Sequence, residues 1–491
     1  MSRLSYKVVA AAGAKDPFSA RNYQAEFLHA MQGHTKAHPF RGLAVWPRRA
    51  GKDLTALHGA LVMAHEEVGM YWHCLPVYEQ ARKACWEAFV NTTGQRLMDN
   101  VFPREIRRKP DEFSPRAEMV VELRNGSIVR FVGSDSIDRL VGSGPRGITF
   151  SEFSLAKPSS WPLVRPILRE NQGWAAFLFT PRGHNHAYKL FLKANSRPEV
   201  WYTSYHTLFT LGIMSKTEVE AVLAEEREDG MPEELVRQEY LCDFSAANVG
   251  SYYGDLLERL ELRGALEPFE YARDGIFTFW DLGISDSFSI WAARIHDNGV
   301  DVVNHYEASS KPLSHYFNKL EEWEDRLGYK YVAHYLPHDA RARSLQTGIS
   351  TVEQTVTWAK SKWGDKGLNM IRITPEVSIQ DGIEAARWVL QQDHTRFHPN
   401  CNEYEGVEAL RSYHRVWDED TRAFGKHPEH DWSSHSADAF RYLAVSLRAA
   451  KLIRPRPKGV IVTARAPQLY RPTMDDLLRQ HNRSVRRKYR V

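Results

Sequence analysis

The first two hundred residues alternate between short apolar runs and amphipathic segments. Apolar runs that predict buried strands lie at 40–46, 70–76, 146–153 and 174–183. Residues 53–68 and 78–90 instead carry apolar side chains at helical spacing. A hairpin is predicted within 119–133, because Asn125-Gly126 favours a tight turn between two strands. Strands that alternate with helices build parallel sheets, so this half of the chain is predicted to be a parallel α/β domain.

The second half shows a different order of elements. Residues 215–275 have a charged, helical pattern, and a domain boundary is predicted there. Beyond it, predicted strands and helices alternate in the order βββαβ, with a last helix near the end: strands 275–283, 288–296 and 300–308, helix 312–327, strand 330–340 and helix 434–451. The chain is therefore predicted to carry two α/β modules of different kinds.

These patterns divide the chain into four parts. The predicted parts are a first domain at 1–245, a linker at 246–274, a second domain at 275–451 and a tail at 452–491. The chain has 491 residues, of which 43% are hydrophobic and 26% charged, as is usual for globular proteins. Since no apolar run approaches the roughly 18 residues of a membrane span, no membrane association is expected.

The distribution of charges indicates a class of partner, and the placement of the cysteines indicates a cellular compartment. Residues 448–491 hold thirteen Lys and Arg against two Asp, a local net charge of +11, which leaves about −7 for the rest of the chain. Such a basic tail indicates a polyanionic partner such as DNA, although a solvated, disordered tail fits the composition equally well. The cysteines (Cys74, Cys85, Cys242, Cys401) form no C-x-x-C pair, which favours a reducing compartment and argues against a thiolate metal site.

The segment AVWPRRAGKDLTAL (44–57) nearly matches a phosphate-binding loop. The usual pattern is G-x-x-x-x-G-K-[ST], but Trp46 replaces the first glycine and Asp53 replaces the final hydroxyl residue. A strand, a turn with Gly-Lys and a helix nevertheless follow in the required order. The candidate nucleotide-binding residues here are Arg48, Arg49, Ala50, Gly51, Lys52 and Asp53. Taken alone, the segment is equally consistent with a strand-to-helix turn that carries three exposed cations.

Three other stretches favour the nucleotide-binding interpretation. Tyr23-Gln24 precede the first strand, where an amide can recognise adenine and a ring can stack on it. Glu152 ends a hydrophobic strand, where it can activate a water molecule, although Ser151 stands where a metal-binding Asp is expected. Thr180 ends a further strand and can sense phosphate. Each residue alone also fits a structural role, as a helix cap, a surface acid or a turn residue.

Acidic residues at element ends suggest a second site. Asp281 ends the first strand of the βββαβ unit, Asp339 follows its fourth strand, and Asp438 lies in the last helix. Glu307, at the end of the third strand, is a plausible fourth ligand. Converging carboxylates bind the paired Mg²⁺ or Mn²⁺ ions that cut phosphodiesters, although a single aspartate at such a position is more often a loop or cap residue.

Three histidines near the last helix invite a zinc interpretation. His427, His430 and His435 lie within nine residues, but they have no cysteine partner and no helical i, i+4 pair among them. A role facing DNA, or supporting the carboxylates, is therefore favoured.

Together, these motifs resemble the large subunit of tailed-bacteriophage terminases. That resemblance covers roughly residues 20–450 and implies an N-terminal ASCE-type P-loop ATPase domain with a C-terminal RNase H-like nuclease domain. It assigns the adenine motif to Tyr23-Gln24, the arginine-bearing loop to PRRAGKD with Arg48 as a catalytic residue, and the catalytic carboxylate to Glu152. It assigns the coupling motif to TPRG at Thr180 and the nuclease ligands to Asp281, Asp339 and Asp438. Arg139, in DSIDRLVGSGPRG, is implied as a candidate arginine finger.

The same resemblance implies function and partners. The expected activities are ATP-driven translocation of double-stranded DNA into a procapsid and metal-dependent cutting of concatemeric DNA, with ATP and Mg²⁺ (Mn²⁺ possible at the nuclease site). Expected partners are a small terminase subunit, the portal protein and other copies of the chain in a pentameric ring, in the host cytoplasm and absent from the mature virion. Two alternatives stay open: a repair or restriction-type ATPase-nuclease, and a DNA-binding scaffold with a degenerate ATP site.

Two departures from the family pattern lead to one hypothesis. Asp53 replaces the hydroxyl of the loop, and Ser151 replaces the aspartate before Glu152. An exchange of roles keeps one anionic and one neutral oxygen beside Mg²⁺. Asp53 is therefore included among the predicted metal ligands.

Overall fold

The structure is a computed structural model of the chain. It describes residues 18–90, 94–109, 118–244, 250–283, 287–343, 348–418 and 421–452. All of these belong to one compact unit. The predicted tail at 452–491 lies outside the described residues, apart from Leu452.

The helices and strands of the described residues are numbered in chain order. The helices are α1 (Asn22–Gln32), α2 (Lys52–Glu66), α3 (Tyr78–Ala81), α4 (Leu97–Val101), α5 (Ser160–Glu170), α6 (His186–Asn195), α7 (Lys216–Glu228), α8 (Glu233–Leu241), α9 (Gly254–Leu262), α10 (Leu313–Leu327), α11 (Thr351–Trp363), α12 (Asp365–Leu368), α13 (Ile379–Leu390), α14 (Gly406–Ser412) and α15 (Ser434–Ala449). The strands are β1 (Arg41–Val45), β2 (Met70–Leu75), β3 (Val120–Glu122), β4 (Ile128–Gly133), β5 (Gly147–Ser151), β6 (Trp174–Phe179), β7 (Tyr202–Tyr205), β8 (Ile276–Asp281), β9 (Ser287–His296), β10 (Gly299–Ser309), β11 (Tyr331–Leu336), β12 (Ile371–Ile373), β13 (Arg396–Phe397), β14 (Trp417–Asp418) and β15 (Ala423–Phe424).

The first sheet has seven strands in the order β3-β4-β2-β5-β6-β1-β7. Its strands are parallel except for β3, which pairs antiparallel with β4 through the hairpin predicted at Asn125-Gly126. Strand β6 lies between β1, which leads into the phosphate-binding loop, and β5, which leads to Glu152. This inserted strand is the feature that defines ASCE-type ATPases, so the predicted fold of the first half is confirmed.

The second sheet has the order β12-β11-β8-β9-β10-β13. Strands β8, β9 and β10 form an antiparallel meander, and β11 returns parallel to β8. This is the RNase H-like arrangement that the family resemblance implies for the βββαβ segment, and the predicted fold is confirmed. The carboxyl ends of β8 and β11 lie at the same edge, because the two strands are parallel neighbours.

Both faces of the first sheet are covered, which explains the continuous apolar runs in its sequence. In β1, Leu43 packs into the core on one face, and its neighbour Ala44 packs into the core on the other. Strands buried on both sides lose the alternation of apolar and polar residues. The end of β6 is buried in the same way, so the polar residue Thr180 that follows it is also held in the interior.

The predicted linker contains a packed helix. Helix α9 lies within 246–274, and Leu256, Leu257 and Leu260 are buried in a core of the second half. Residues 245–249 lie outside the described residues, and the domain boundaries stay predictions. No helix among the described residues combines the length and apolarity needed to cross a bilayer.

Residues 78–90 differ from the single helix that their spacing predicts. Helix α3 ends at Ala81, and Arg82–Trp86 continue as a π-helical turn. The amide of Glu87 there donates to the carbonyl of Arg82 at 2.8 Å, a bond five residues back. A π-helical turn inserts one extra residue per turn and shifts the side chains that follow it, and such turns are frequent at functional sites.

Candidate active sites: a phosphate-binding loop and a carboxylate cluster

The loop after β1 has the backbone of a phosphate-binding turn. Gly51, directly before α2, has a φ of +74°, and Arg49 has a φ of +59°. The positive φ favours glycine here, and a Cβ atom on Gly51 would lie 2.7 Å from the side-chain nitrogen of Gln24. Trp46 is buried, and its indole N–H donates to the Ser204 hydroxyl at 2.9 Å. The residue at the first-glycine position therefore serves the core.

Lys52 connects three parts of the first sheet. Its buried Nζ donates to the Thr180 hydroxyl at 2.8 Å and lies 3.3 Å from a Glu152 carboxylate oxygen. The Thr180 hydroxyl in turn donates to the Trp46 carbonyl at 3.1 Å. The structure thus brings together Lys52, Glu152 and Thr180, three residues that are widely separated in the sequence.

Glu152 occupies a strained backbone position. Its φ of 48° and ψ of 45° lie in the left-handed region, directly after β5. One of its carboxylate oxygens is buried with no hydrogen-bond partner in the part of the chain that the structure describes. Strain of this kind in a residue other than glycine concentrates at active sites. That oxygen is suited to accept a hydrogen bond from water.

Asp53 and Ser151 lie in direct contact. The Ser151 hydroxyl donates to the Asp53 carboxylate, so the two residues that depart from the family pattern face each other. Burial raises the pKa of Asp53 above its ordinary value, although the Ser151 hydrogen bond and the Lys52 charge oppose that rise. The Asp53 side chain nevertheless keeps 33% exposure, so the pair opens on one side. An anionic and a neutral oxygen are together available for Mg²⁺.

Tyr23 and Gln24 support the loop from behind. The Tyr23 hydroxyl and the Gln24 amide donate to the Ala50 carbonyl at 2.8 and 2.9 Å, and both side chains are buried. The backbone amide of Arg21 donates a hydrogen bond to the Gln24 side-chain oxygen at 2.9 Å, so both the oxygen and the nitrogen of this side chain are hydrogen-bonded. Their predicted contact with adenine stays a prediction.

The arginine assignments stay predictions. The Arg48 amide donates to the Glu239 carbonyl at 2.8 Å, and the Glu239 carboxylate lies 2.6 Å from Arg182 of the TPRG segment. Arg48, Arg182 and Glu239 line a cavity of about 350 Å³, which is also lined by His414, Trp417 and Phe424 of the second half. Arg139 lies in the 3₁₀ stretch Ser134–Ser143, and its side chain lies outside the described residues.

The three predicted aspartates lie near the same edge of the second sheet. Asp281 ends β8, Asp339 lies in a 3₁₀ turn just after β11, and Asp438 lies in α15. Besides burial, the negative charges of all three raise the pKa of Tyr442, also on α15. Since β8 and β11 are parallel neighbours and α15 packs against β8, the three carboxylates lie near one edge of the second sheet.

Asp281 and Asp438 have distinct surroundings. Burial raises the pKa of Asp281 to about 6, the Asp438 charge adds to the rise, and the His435 contact opposes it. His435 Nδ1 lies 3.2 Å from an Asp281 oxygen. Asp438 accepts the Tyr413 hydroxyl at 3.2 Å and the Arg441 guanidinium at 2.9 Å. This set of carboxylate oxygens suits hard divalent cations.

Glu307 lies on the same face of the sheet but has another partner. Register pairs Asp281 with Ser289 and Ser289 with Glu307, so the three form one row across β8, β9 and β10. The Ser436 hydroxyl donates to the Glu307 carboxylate. The assignment of Glu307 as a metal ligand stays a prediction. Of the three histidines considered for zinc, His435 contacts Asp281, in keeping with a supporting role.

Sequence inspection overlooked several side chains at these sites. At the second site they are Tyr413, Arg441 and Tyr442, and at the first they are His73 and Cys85. The spacing of Asp438 and Arg441, three residues apart on a predicted helix, was a usable signal. His73 and Cys85 gave no signal, because they reach Asp53 from separate elements.

No family model matches the sequence, and no curated protein matches it either. Solved structures do resemble it. The large terminase of a thermophilic bacteriophage, in complex with ATP-gamma-S, is 14% identical; the match covers 87% of this chain and 98% of that one, with a TM-score of 0.36. The large terminase ATPase domain of Thermus phage P74-26 is 20% identical over 46% of this chain and 100% of its own, with a TM-score of 0.33. The large terminase (g2p) nuclease domain of bacteriophage SPP1, with bound Mn, is 14% identical over 36% of this chain and 88% of its own, with a TM-score of 0.25. All three are large terminases or domains of them, the family that the motifs resemble.

Proposed function

We propose that this chain is the large subunit of a phage terminase: an ATP-driven DNA translocase and a metal-dependent DNA endonuclease. One observation carries the proposal. A single compact unit combines the Lys52, Glu152 and Thr180 constellation on an ASCE-type sheet with Asp281, Asp339 and Asp438 at one edge of an RNase H-like sheet.

The residues of the first site divide the work of ATP hydrolysis. Lys52 and the amides at the start of α2 bind phosphate oxygens, because a helix N-terminus and a lysine both attract anions. Glu152 orients the attacking water through its available oxygen and accepts its proton. The Thr180 hydroxyl accepts a hydrogen bond from Lys52 and donates one to the Trp46 carbonyl. A movement of Lys52 when the phosphate leaves is therefore passed to Thr180, the residue that follows β6. Mg²⁺, which Asp53 and Ser151 would hold, neutralises phosphate charge when bound.

The residues of the second site prepare it for divalent cations. Asp281, Asp339 and Asp438 would hold the ions, which when bound activate water and stabilise the leaving oxygen. His435 orients Asp281, and Tyr413 with Arg441 orients Asp438. Such positioning of carboxylates by neighbouring hydrogen bonds strengthens metal binding.

Two substitutions separate the activities. Lys52→Ala is expected to lower ATP turnover about 100- to 1,000-fold, because a buried phosphate-binding cation is lost, and to leave plasmid cutting intact. Asp281→Asn is expected to abolish plasmid cutting and to leave ATP turnover within about twofold of the wild type. Equal, background turnover by the wild type and Lys52→Ala would favour the scaffold alternative. Cutting retained by Asp281→Asn would remove the metal-site assignment.

The exchange of roles between Asp53 and Ser151 has its own test. Asp53→Ala and Ser151→Ala are each expected to lower ATP turnover and to raise the Mg²⁺ concentration needed for half-maximal rate. Thr55→Ala is the matched control, since the Thr55 hydroxyl donates to the Gly51 carbonyl at the start of α2 rather than to either residue of the pair. If both variants keep wild-type turnover and Mg²⁺ dependence, the exchange hypothesis is wrong.

The partners are proposed from the basic tail and the family resemblance: double-stranded DNA, the portal, a small terminase subunit and a pentameric ring of this chain, in the host cytoplasm. Deleting 452–491 is expected to weaken DNA or portal binding and to reduce its salt dependence, because phosphate contacts release counterions. Unchanged binding at low and physiological salt would contradict this. Stimulation of ATP turnover by portal or procapsid separates a terminase from a repair or restriction enzyme.

A further inference from the structure

A buried cluster of three different metal-ligating side chains lies behind the phosphate-binding loop. Asp53, His73 and Cys85 place one ligand atom each so that all three lie within 4.8 Å of one another. Among the residues that the structure describes, this is the one group in which three or more His, Cys, Asp or Glu side chains place their ligand atoms so close together. His73 and Cys85 are completely buried.

The distances match a tetrahedral metal site. His73 Nε2 lies 3.7 Å from the Asp53 carboxylate oxygen and 3.7 Å from the Cys85 sulfur. Oxygen, nitrogen and sulfur ligands of tetrahedral Zn²⁺ lie about 3.3–3.7 Å apart, given metal–ligand lengths of about 2.0–2.3 Å. The two distances from His73 Nε2 therefore lie at the upper end of this range, and the Asp53 oxygen and the Cys85 sulfur lie within 4.8 Å of each other.

His73 Nε2 points into the cluster, where it lies 3.7 Å from the Asp53 oxygen and 3.7 Å from the Cys85 sulfur. The other ring nitrogen, Nδ1, lies 2.7 Å from the Thr149 hydroxyl on β5, which fixes the orientation of the ring. This is how metal-binding histidines are oriented: a hydrogen bond at one nitrogen fixes the lone pair at the other.

The local backbone brings Cys85 to this point. The π-helical turn Arg82–Trp86 carries Cys85 toward β2, where His73 lies, and π-helical turns are frequent at functional sites. Asp53, with 33% exposure, leaves the cluster open from the nucleotide side.

We infer that Asp53, His73 and Cys85 form a site for a thiophilic divalent cation such as Zn²⁺, distinct from the Mg²⁺ site of the ATPase but sharing Asp53 with it. The ion is bound by one carboxylate oxygen, one imidazole nitrogen and one thiolate, and the thiol proton is released to solvent. A ligand set with sulfur and nitrogen selects Zn²⁺ or Co²⁺ over Mg²⁺. Because both ions draw on the Asp53 carboxylate, the cation would compete with Mg²⁺ and inhibit ATP turnover; that consequence rests on the proposed function, whereas the site itself does not.

Co²⁺ added to the reduced, metal-free full chain tests the site directly. The wild type is expected to bind Co²⁺ with a thiolate-to-Co²⁺ charge-transfer band in the near ultraviolet, a signal that the carboxylate site of the second sheet cannot produce. Cys85→Ala is expected to lose the band and to bind at this site at least about tenfold more weakly. Cys401→Ala, which removes another buried free cysteine, is the matched control and should keep the band. Absence of the band in the wild type, or its persistence in Cys85→Ala, overturns the inference.

A second measurement needs no variant. Cd²⁺ is expected to slow alkylation of Cys85 in the wild-type chain at least about tenfold, as seen by peptide mapping, without slowing alkylation of Cys401. Equal protection of both cysteines, or of neither, overturns the inference. Inhibition of ATP turnover by Zn²⁺ at saturating Mg²⁺ is the functional arm. If the chain hydrolyses no ATP but gives the Co²⁺ band, the site stands and the proposed function fails.

Discussion

At the predicted phosphate-binding loop, a lysine lies beside a carboxylate, whereas at the edge of the second sheet one buried aspartate experiences the charge of another. Lys52 lies 3.3 Å from Glu152 and 2.8 Å from Thr180, so its charge is balanced within the chain. In the second sheet, burial and the charge of Asp438 raise the pKa of Asp281 to about 6, although His435 and Arg441 oppose the rise.

The difference shows what each site is prepared to receive. A site that balances its own charges can stay folded without a ligand and then rearrange around a nucleotide. A site with surplus buried negative charge is destabilising until cations arrive, so cation binding and local stability are coupled there. The two halves are thus expected to respond differently to substitution, pH and metal.

The largest expected effect is on chemistry at the first site. Glu152→Gln should lower ATP turnover about 1,000-fold, because the amide cannot accept the proton of water. Plasmid cutting, which uses the other sheet, should stay within about twofold. Steady-state ATPase and nicking assays on the same preparation check this, and a comparable loss of both activities would show that the sites are not separable.

A stability measurement tests the surplus charge directly. Asp281→Asn should raise the free energy of unfolding by about 3 kcal/mol at pH 7.5 without metal, since Asp281 has a folded-state pKa of about 6 against an ordinary 3.8. Because the pKa of Asp281 is raised in the folded state, the protonated carboxyl favours the folded chain over the unfolded chain below about pH 4. That stabilisation is lost as the pH rises through about 6. The gain should therefore vanish near pH 4, and Mn²⁺ should reduce it at pH 7.5.

The matched change at the first site should act in the opposite direction. Glu152→Gln leaves the buried Lys52 without its anion and should destabilise the chain by about 1 kcal/mol, a modest value because Glu152 is 31% exposed. Urea unfolding of both variants measures the contrast. If Asp281→Asn instead destabilises the chain at pH 7.5, the negative charge of Asp281 is balanced within the chain, as the positive charge of Lys52 is.

The pH dependence of metal binding should also differ. Below about pH 6, Asp281 takes up a proton that a cation must displace, so Mn²⁺ affinity at the second site should fall about fivefold between pH 6 and pH 5. Calorimetric titration of the wild type and Asp281→Asn checks this, because the variant lacks the group that titrates. If Mn²⁺ affinity falls with pH equally in both chains, the group that takes up the proton is a residue other than Asp281.

The smallest expected effect concerns the support of the loop. Tyr23→Phe removes one of two donors to the Ala50 carbonyl and leaves the Gln24 donor in place. ATP binding should weaken by only about 1 kcal/mol, or about fivefold, the value of one net hydrogen bond. Equilibrium binding of a fluorescent ATP analogue measures this. A loss of more than about a hundredfold would instead favour direct contact of Tyr23 with the nucleotide.

Much of the architecture was predictable from the sequence, because local patterns carry it. Continuous apolar runs marked β1, β2, β5 and β6 to within a few residues, and the βββαβ order identified the second sheet. The short strand β7 was not foreseen: its residues are only partly apolar, and its place is decided by pairing with β1. The π-helical turn at Arg82–Trp86 was also missed, since helical spacing does not distinguish it from an α-helix.

The candidate sites were predictable where a residue ends an element. Four of these residues end a strand or closely follow one: Glu152, Thr180, Asp281 and Asp339. Neighbouring parallel strands bring their carboxyl ends to the same edge of a sheet. The orientation of a side chain was not predictable. Tyr23 and Gln24 fit an adenine motif by position, yet both turn toward the Ala50 carbonyl.

The sequence by itself determined the two kinds of sheet, the loop with Lys52 and the order of the acidic residues, because periodicity and element ends are local properties of the chain. Only the tertiary structure decided that Ser151 faces Asp53, and that His73 and Cys85 reach that same carboxylate. The physical reason is that these contacts join different elements, whose side chains meet through the pairing of β2 with β5 and the packing of α2 against the sheet. The widely spaced cysteines indicated no thiolate metal site, whereas the fold places one of them beside a histidine and an aspartate.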